Sequence, residues 1–444
     1  MSRPELDVAV IGAGISGLAA AFWLRQAGRS VEVFEAADVV GGRMRSYQQD
    51  GYIIESGTET LARHGYDSTW RLIRDVGLGD GDVLPVKSMV AVWRNGRPHI
   101  GVGHPLGALT GSGLSLAGRM ALTTMVVSLL PGARRFDTRR PAQSPLGLAT
   151  VAEFARTRHP ELLDYMLQPA VGTAWGWQPE RSCIAPMVAT MLSTRGLTGW
   201  LTYRGGMDVL ARRLAEQVPV HTGTPLAEVT EGPAGVQLLF QDGQSLTTRS
   251  ALLAVPAPIA LALYPSMPAD ERDYVVASTF APMIRVTCTL DRDLQLPRQR
   301  GLPGIYALLI PQREDNLLSG LTVEHHKAAN RAPAGRGLIS LLSARGATEN
   351  LIDQPDEEIS TTLVDRGERF LPGLGQACLR AEVHRFPYGA PEATPDAVRR
   401  HAAFIDRPAR RIEYAGDWIY QRPASEAAVQ SAELAVSRLL SAST

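Results

Sequence analysis

The sequence predicts an α/β fold, and three observations predict it. An apolar, β-branched run, "LDVAVI", breaks into the turn "GAGISG" and continues as a helical pattern, "ISGLAAAFWLRQAG". A second β-branched run, "SVEVFE", follows directly. At the far end, "RRIEYAGDWIYQRPASEAAVQSAELAVSRLL" reads as strand, turn and helix. Strands alternating with helices in this way build a parallel sheet covered by helices.

The first unit sets the chemistry. In the opening helix Leu18, Phe22 and Leu24 supply the larger apolar side chains, and Gly28 ends it. Gly12 makes the tight turn. Gly14, without a Cβ, lets a pyrophosphate approach the backbone, and Gly17 lets helix and strand pack closely. The first helical amides, at Ile15 and Ser16, are free to bind phosphate. Glu35 closes the second strand with Ala36 behind it. Its carboxylate suits ribose hydroxyls and repels a 2′-phosphate. A dinucleotide other than NADP is the expected ligand.

The next stretches favour the longer of the remaining dinucleotides. "AADVVGGRMRS" places a second bare turn, Gly41-Gly42, before Arg43. "GYIIESGTETL" places Ile53, Glu55, Gly57 and Thr58 on a strand and turn suited to a ring system. The pattern V-x-V-x-E-x5-GGR resembles the flavin amine oxidase superfamily, and "ESGTETL" resembles its protoporphyrinogen oxidase and carotenoid desaturase-like branch. The resemblance implies FAD, a Rossmann-like FAD domain of the glutathione-reductase type, and a discontinuous α+β substrate domain. It also implies that Gly416 and Asp417 hold the ribityl or pyrophosphate region. The amides of Ala428 and Val429 are then expected to face the flavin pyrimidine, and the backbone at Val229 the adenine. A helix N-terminus suits the negative charge near N1 of a reduced flavin.

The rest of the chain is read against this plan. "TYRGGMDVLARRLAEQV" matches the family's Gly-Gly-Met turn and helix, and the segment after it alternates as a β-meander with an Asp242-Gly243 hairpin. The FAD domain is expected over 1–85, 200–275 and 385–444, and the substrate domain over 86–199 and 276–384. In the closing helix Val429, Ala432, Val436 and Leu439 recur at helical spacing and form its buried face.

Departures from the amine oxidases narrow the chemistry. Those enzymes often place a lysine near flavin N5. The chain's two lysines, Lys87 and Lys327, do not fall where that lysine would, and Arg285 in "MIRVT" is the nearest cation. The aromatic pair that flanks an amine is missing, since Ala424 stands at one position. No cysteine lies in the stretch that tethers flavin covalently, so non-covalent FAD is expected. Candidate groups facing the flavin are Arg63, His64, His325, His326 and Trp418. Trp175, Trp177 and Trp200 are candidates for a cavity wall. No metal set stands out.

Composition bounds the partners. Net charge is zero, with 45 basic and 45 acidic residues, so no electrostatic footprint argues for nucleic acid. Cys183, Cys288 and Cys378 are too scattered for a disulfide framework, and the opening loop leaves no room for a signal peptide, so a cytoplasmic protein is expected. The longest apolar run, "MALTTMVVSLLPGA", is shorter than the ~20 residues of a spanning helix. It is expected to be a buried or substrate-lining helix, with a monotopic membrane contact as the alternative.

The expected function is a two-hydrogen oxidation of a hydrophobic small molecule at a C–N or C–C bond, with O2 or another electron acceptor. Two alternatives stand beside it. One is a flavin-dependent isomerase of a polyene without net oxidation. The other is a non-enzymatic binding protein of the Rab GDP-dissociation-inhibitor type.

Overall fold

The computed structural model describes residues 6–101, 113–196, 199–297 and 304–442. The opening strand–helix–strand unit forms as expected: β1 (Leu6–Ile11), α1 (Ile15–Gln26) and β2 (Val31–Phe34). β1 and β2 run parallel, with Val8 opposite Val31 and Ile11 opposite Phe34. They sit inside a seven-stranded sheet ordered Val220–His221, β2, β1, Ser245–Leu253, Gly235–Phe240, Leu226–Gly232. Ile412–Tyr414 adds to the same sheet beside Ser245–Leu253. Gly243, at φ +86°, turns the expected hairpin between two of these strands.

The closing helix, Ser425–Ala442, packs on α1 against one face of this sheet. Its four predicted inward residues, Val429, Ala432, Val436 and Leu439, join Leu18, Phe22, Leu24, Val31 and Val33 in one buried cluster. The 3.6-residue spacing therefore identified the packing face. The first and last helices of the chain thus share one core, which brings residues near 14 and 417 to the same side of the sheet.

A second seven-stranded sheet is ordered Cys378–Pro391, Phe280–Leu290, Gly337–Ser343, Leu318–Val323, Ile305–Leu309, Met89–Arg94, Arg97–Ile100. Cys378–Pro391 pairs with Phe280–Leu290 from Cys378 opposite Leu290 to Pro391 opposite Phe280. Position 385, the expected end of the second insert, therefore lies inside a strand. Most of that strand is half-buried, so no polar-apolar break marks where it crosses from sheet to loop. The helical pair expected in the first insert forms three pieces, Val151–Arg156, Gln168–Trp175 and, between them, a short helix that widens into a π turn over Leu163–Leu167.

The apolar run over 120–133 departs from its main expectation. It belongs to a helix, Leu116–Leu129, that tightens into a 3-10 turn over Leu130–Arg135. Together they make 20 residues of mean hydropathy 1.3, long and apolar enough by those measures to cross a membrane, yet only 17% of the stretch is buried. It lies along the surface rather than in the core.

Two leucines separate these environments. Leu439→Ala should cost about 2–5 kcal/mol, the usual range for emptying a core leucine site. Leu116→Ala, on the exposed helix, should change stability by less than about 0.5 kcal/mol. Denaturant midpoints of the two variants measure the difference.

Candidate functional site

The glycines divide the labour as the sequence suggests. Gly12 has φ +104°, and a Cβ there would sit 2.6 Å from the Ala254 carbonyl oxygen. A Cβ on Gly17 would sit 2.0 Å from the Gly12 carbonyl oxygen. At Gly14 a Cβ would meet nothing within 4 Å. Two glycines are thus required by packing, and the third faces open space at the start of α1, beside Ile15 and Ser16. Sterically, that is the cradle a pyrophosphate needs.

Glu35 is tied into the same turn. One carboxylate oxygen accepts the Ala13 amide at 2.6 Å and the other accepts the Ala37 amide at 3.0 Å. The backbone of His221, Gly223 and Thr224 lies alongside, through bonds to Glu35 and Ala37. Ala36 is exposed. Val229, expected at the adenine, sits elsewhere: it pairs with Leu238 three strands from β1 and is fully buried. Alternation placed it in the correct meander, but it could not show that the chain passes Glu35 before entering it.

The second bare turn meets the first. Gly41 bridges to Gly14, and its amide donates to the Ala13 carbonyl at 2.9 Å. Gly41 and Gly42 take φ +106° and +53°. Arg43 then reaches the closing turn: its guanidinium donates to both Asp417 oxygens, at 2.9 and 2.8 Å, and to the Gly389 carbonyl at 3.0 Å. Gly57 packs on the Arg43 backbone, where a Cβ would lie 2.3 Å from its carbonyl oxygen. The Thr58 amide donates to that same oxygen at 2.9 Å. Gly416, at φ +151°, sets the closing turn, and its amide donates to Ser431 Oγ.

The closing helix presents different amides from those expected. Ala428 N–H donates to the Ala424 carbonyl at 3.2 Å. Its amide, and that of Val429 after it, are therefore used inside the helix. The free first-turn amides belong to Ser425, Glu426 and Ala427. The Glu426 carboxylate, fully buried, accepts the Ser68 and Thr69 amides at 3.1 and 2.8 Å. It ties this helix start to that of the helix Asp67–Asp75.

Arg285 does adjoin the site. It is buried on Phe280–Leu290 and donates to the Gly57 carbonyl at 3.0 Å. It also anchors a charge network that the sequence did not announce. Its guanidinium pairs with Glu59 and with Glu324, both at 2.6 Å. Glu324 pairs on with Lys327 at 2.5 Å, Lys327 with Glu55, and Glu55 with Arg331 at 2.8 Å. Tyr306 donates to Glu59, while Thr322 donates to Glu324 at 2.6 Å. Three cations match three carboxylates. Burial alone would raise the Glu324 carboxyl, but Lys327 and Arg285 outweigh it and hold it down at about 2. Burial opposes the Lys327 charge as well, and Glu324 and Glu55 raise it nonetheless.

The other sequence candidates lie apart. Arg63 and His64 are exposed. Trp418 is fully buried, donates to the Val255 carbonyl and stacks on Tyr274. Trp177 is buried with its indole on the Pro391 carbonyl. Glu324–Lys327 is a single helical turn, so residues three apart share a side. Glu324 and Lys327 enter the network, and His325 and His326 turn instead to Asp293 and the Ile305 carbonyl. Within "EHHK" the outer two residues, not the two histidines, join the network. Two acids within "ESGTE" and an acid and a lysine closing an apolar strand were the available signal.

Comparison with known proteins decides the family. The profile of the flavin containing amine oxidoreductases matches residues 15–440. The chain belongs to that family. It is 32% identical over 174 residues to the mitochondrial protoporphyrinogen oxidase of Nicotiana tabacum. That match covers 39% of this chain but only 33% of the tobacco enzyme. It is 23% identical to the coproporphyrinogen III oxidase of Bacillus subtilis (strain 168), over 82% of this chain and 83% of that one. In three dimensions it resembles cyclohexylamine oxidase from Brevibacterium oxydans IH-35A, with a TM-score of 0.77 at 17% identity, covering 99% of this chain and 100% of the other. The family is one of flavin oxidoreductases, and membership implies a flavin cofactor.

Two variants separate packing from ligand approach. Gly14→Ala should fold with an unchanged apoprotein melting midpoint and retain less flavin, whereas Gly17→Ala should lose both stability and flavin. The paired readings are thermal midpoint and the flavin-to-protein absorbance ratio.

A pH titration tests the network. Glu324 ionises at a lower pH folded than its ordinary 4.5. Its contribution is present above about 4.5 and is lost as pH falls through about 2. Glu324→Gln should cost on the order of 3–5 kcal/mol at neutral pH, because it leaves buried cations unmatched. Its stability should also fall less steeply than the wild type's between pH 5 and 2.

Proposed function

We propose that the chain is an FAD-dependent oxidase, dehydrogenase or desaturase acting on a hydrophobic small molecule at a C–N or C–C bond. The first sheet and its helices serve as the cofactor domain, and the second sheet with the helical insert serves as the substrate domain. Gly12, Gly14 and Gly17 shape the pyrophosphate turn, with the Ile15 and Ser16 amides at the phosphates. Glu35 holds the adenosine ribose. Arg43, Asp417, Gly57 and Thr58 form the wall of the flavin end, and the first-turn amides of the closing helix face its pyrimidine. When bound, FAD supplies a two-electron acceptor whose N5 takes a hydride. The chain's own task is to hold a C–H about 3–3.5 Å from that atom and to exclude water.

The neutral network carries the substrate reading. Arg285, which donates to the Gly57 carbonyl of that wall, is already matched by Glu59 and Glu324, as Lys327 and Arg331 are by their carboxylates. A polycarboxylate or a simple ammonium would find no unspent counter-charge in that cluster. Binding then has to come from apolar contact. Non-covalent attachment is supported by the cysteines: Cys183 and Cys288 are buried, and none lies after Cys378. O2 or another electron acceptor would be the second small-molecule partner of such a cofactor.

Anaerobic mixing of the purified flavoprotein with panels of amines, porphyrinogens and polyenes tests this reading. Bleaching by a neutral, apolar member is the expected result. Bleaching by carboxylated porphyrinogens alone would overturn the hydrophobic assignment. Conversion of a polyene without bleaching and without an acceptor would establish the isomerase reading instead.

A further inference from the structure

Among the described residues, the helix Leu116–Leu129 and its 3-10 extension are fastened to the protein along one side. Ser115 caps the start, its hydroxyl accepting the Gly118 amide. The Ser115 amide donates to Glu161, which is itself paired with Arg94 at 2.7 Å. Gly118 is pressed against that carboxylate, where a Cβ would lie 2.4 Å from Glu161 Oε2. Ala121, Leu122, Met125 and Leu129 pack inward on a cluster containing Phe154 and Leu162.

The opposite side is apolar and bare. Leu116, Met120, Val127 and Leu130 are 72, 65, 56 and 56% exposed, and Val126 is 47% exposed. Ten large apolar side chains are exposed among the described residues, and these are five of them. Their spacing keeps them on one stripe of the helix. Thr123 and Thr124 lie within it, and their hydroxyls donate back to the Arg119 and Met120 carbonyls at 3.0 and 2.9 Å. Ser128 does the same to Met125. The stripe could therefore leave water without stranding a polar group, which is the condition an apolar phase imposes.

Apart from Arg119 in the first turn, whose guanidinium donates to the Leu114 carbonyl at 3.3 Å, charge sits at the end of the helix. Between Arg119 and Arg134 the sequence carries no ionisable side chain. Arg134 and Arg135 follow, both exposed. Asp137 is the nearby acid and accepts the Arg139 amide, and Arg139 and Arg140 are paired with Glu433 and Asp406. No aromatic residue occurs over 116–135, so the anchors typical of a protein interface are missing. An apolar stripe with a basic end, held parallel to the surface by its packed side, matches the chemistry of a bilayer interface.

We propose that this helix is an in-plane membrane contact, which seats the protein on an anionic phospholipid surface without crossing it. The occupant is the lipid interface: acyl chains against Leu116, Met120, Val127 and Leu130, and anionic headgroups at Arg134 and Arg135. The proposal does not depend on the assigned chemistry, because it is read from binding rather than turnover.

The test is flotation of the full-length flavoprotein with vesicles of phosphatidylcholine, with and without phosphatidylglycerol. The protein should float with the anionic vesicles and be released in part by high salt, since the headgroup attraction is screened. Arg134→Gln with Arg135→Gln should weaken partition about fivefold per arginine on anionic vesicles. Met120→Asp with Val127→Asp should abolish flotation while the flavin spectrum and melting midpoint stay at wild-type values. Should that pair misfold, Met120→Ser with Val127→Ser carries the same test. Failure of the wild type to float, or equal flotation of a folded stripe variant, overturns the proposal. A concentration-dependent dimer that the stripe variants disperse, with no vesicle binding, would assign the face to a second copy of the chain instead.

Discussion

One ion pair joins the two ends of this chain. Arg43 follows the second glycine turn and Asp417 precedes the closing helix, yet the two meet through paired hydrogen bonds of 2.9 and 2.8 Å. Bidentate geometry fixes orientation as well as distance. The Arg43 backbone in turn carries Gly57 and Thr58, and its neighbour Gly41 bridges to Gly14. The opening turn, the second turn, the 57–58 segment and the closing turn are thereby set in one frame. If that pair were lost, the Gly14–Gly41 bridge and the 57–58 segment would stay in place through their backbone contacts, and the closing turn would lose its fixed orientation against them.

The charge network imposes a second constraint beside the first. Six ionisable side chains, Glu55, Glu59, Arg285, Glu324, Lys327 and Arg331, are drawn together with little access to water, and burial pushes the Glu55 carboxyl up despite Lys327 and Arg331. Groups of this kind cost several kcal/mol each to desolvate and are tolerated only when matched. Arg285 donates to the Gly57 carbonyl, so the network buttresses the 57–58 segment with as many cationic as acidic side chains. On the proposed function, that balance of charge is what favours an apolar substrate.

Much of this was legible in the chain because it is written locally. The glycine turn, the acid ending β2 and the apolar spacing of the closing helix are each settled within a few residues by backbone sterics or helical period. The network was not legible, because its members lie up to 276 positions apart (Glu55 to Arg331) and only the fold brings them together. Errors of phase explain most of the other misses. His325 and His326, the sequence candidates, differ from Glu324 and Lys327 only by rotation about one helical turn. Ala428 and Val429 were chosen where the free amides begin three residues earlier, since an amide is spent as soon as a carbonyl lies four residues behind it. Trp418 is expected to face the flavin because it adjoins Asp417, but the turn that positions the aspartate drives the indole into the core.

The central claim is that a two-ended nucleotide lies between the turn at Gly14 and the start of the closing helix. Denaturing the purified chain and weighing the released chromophore tests it most directly. The account predicts stoichiometric FAD, freed intact without proteolysis. Release of FMN, of a nicotinamide dinucleotide or of no nucleotide at all would contradict it.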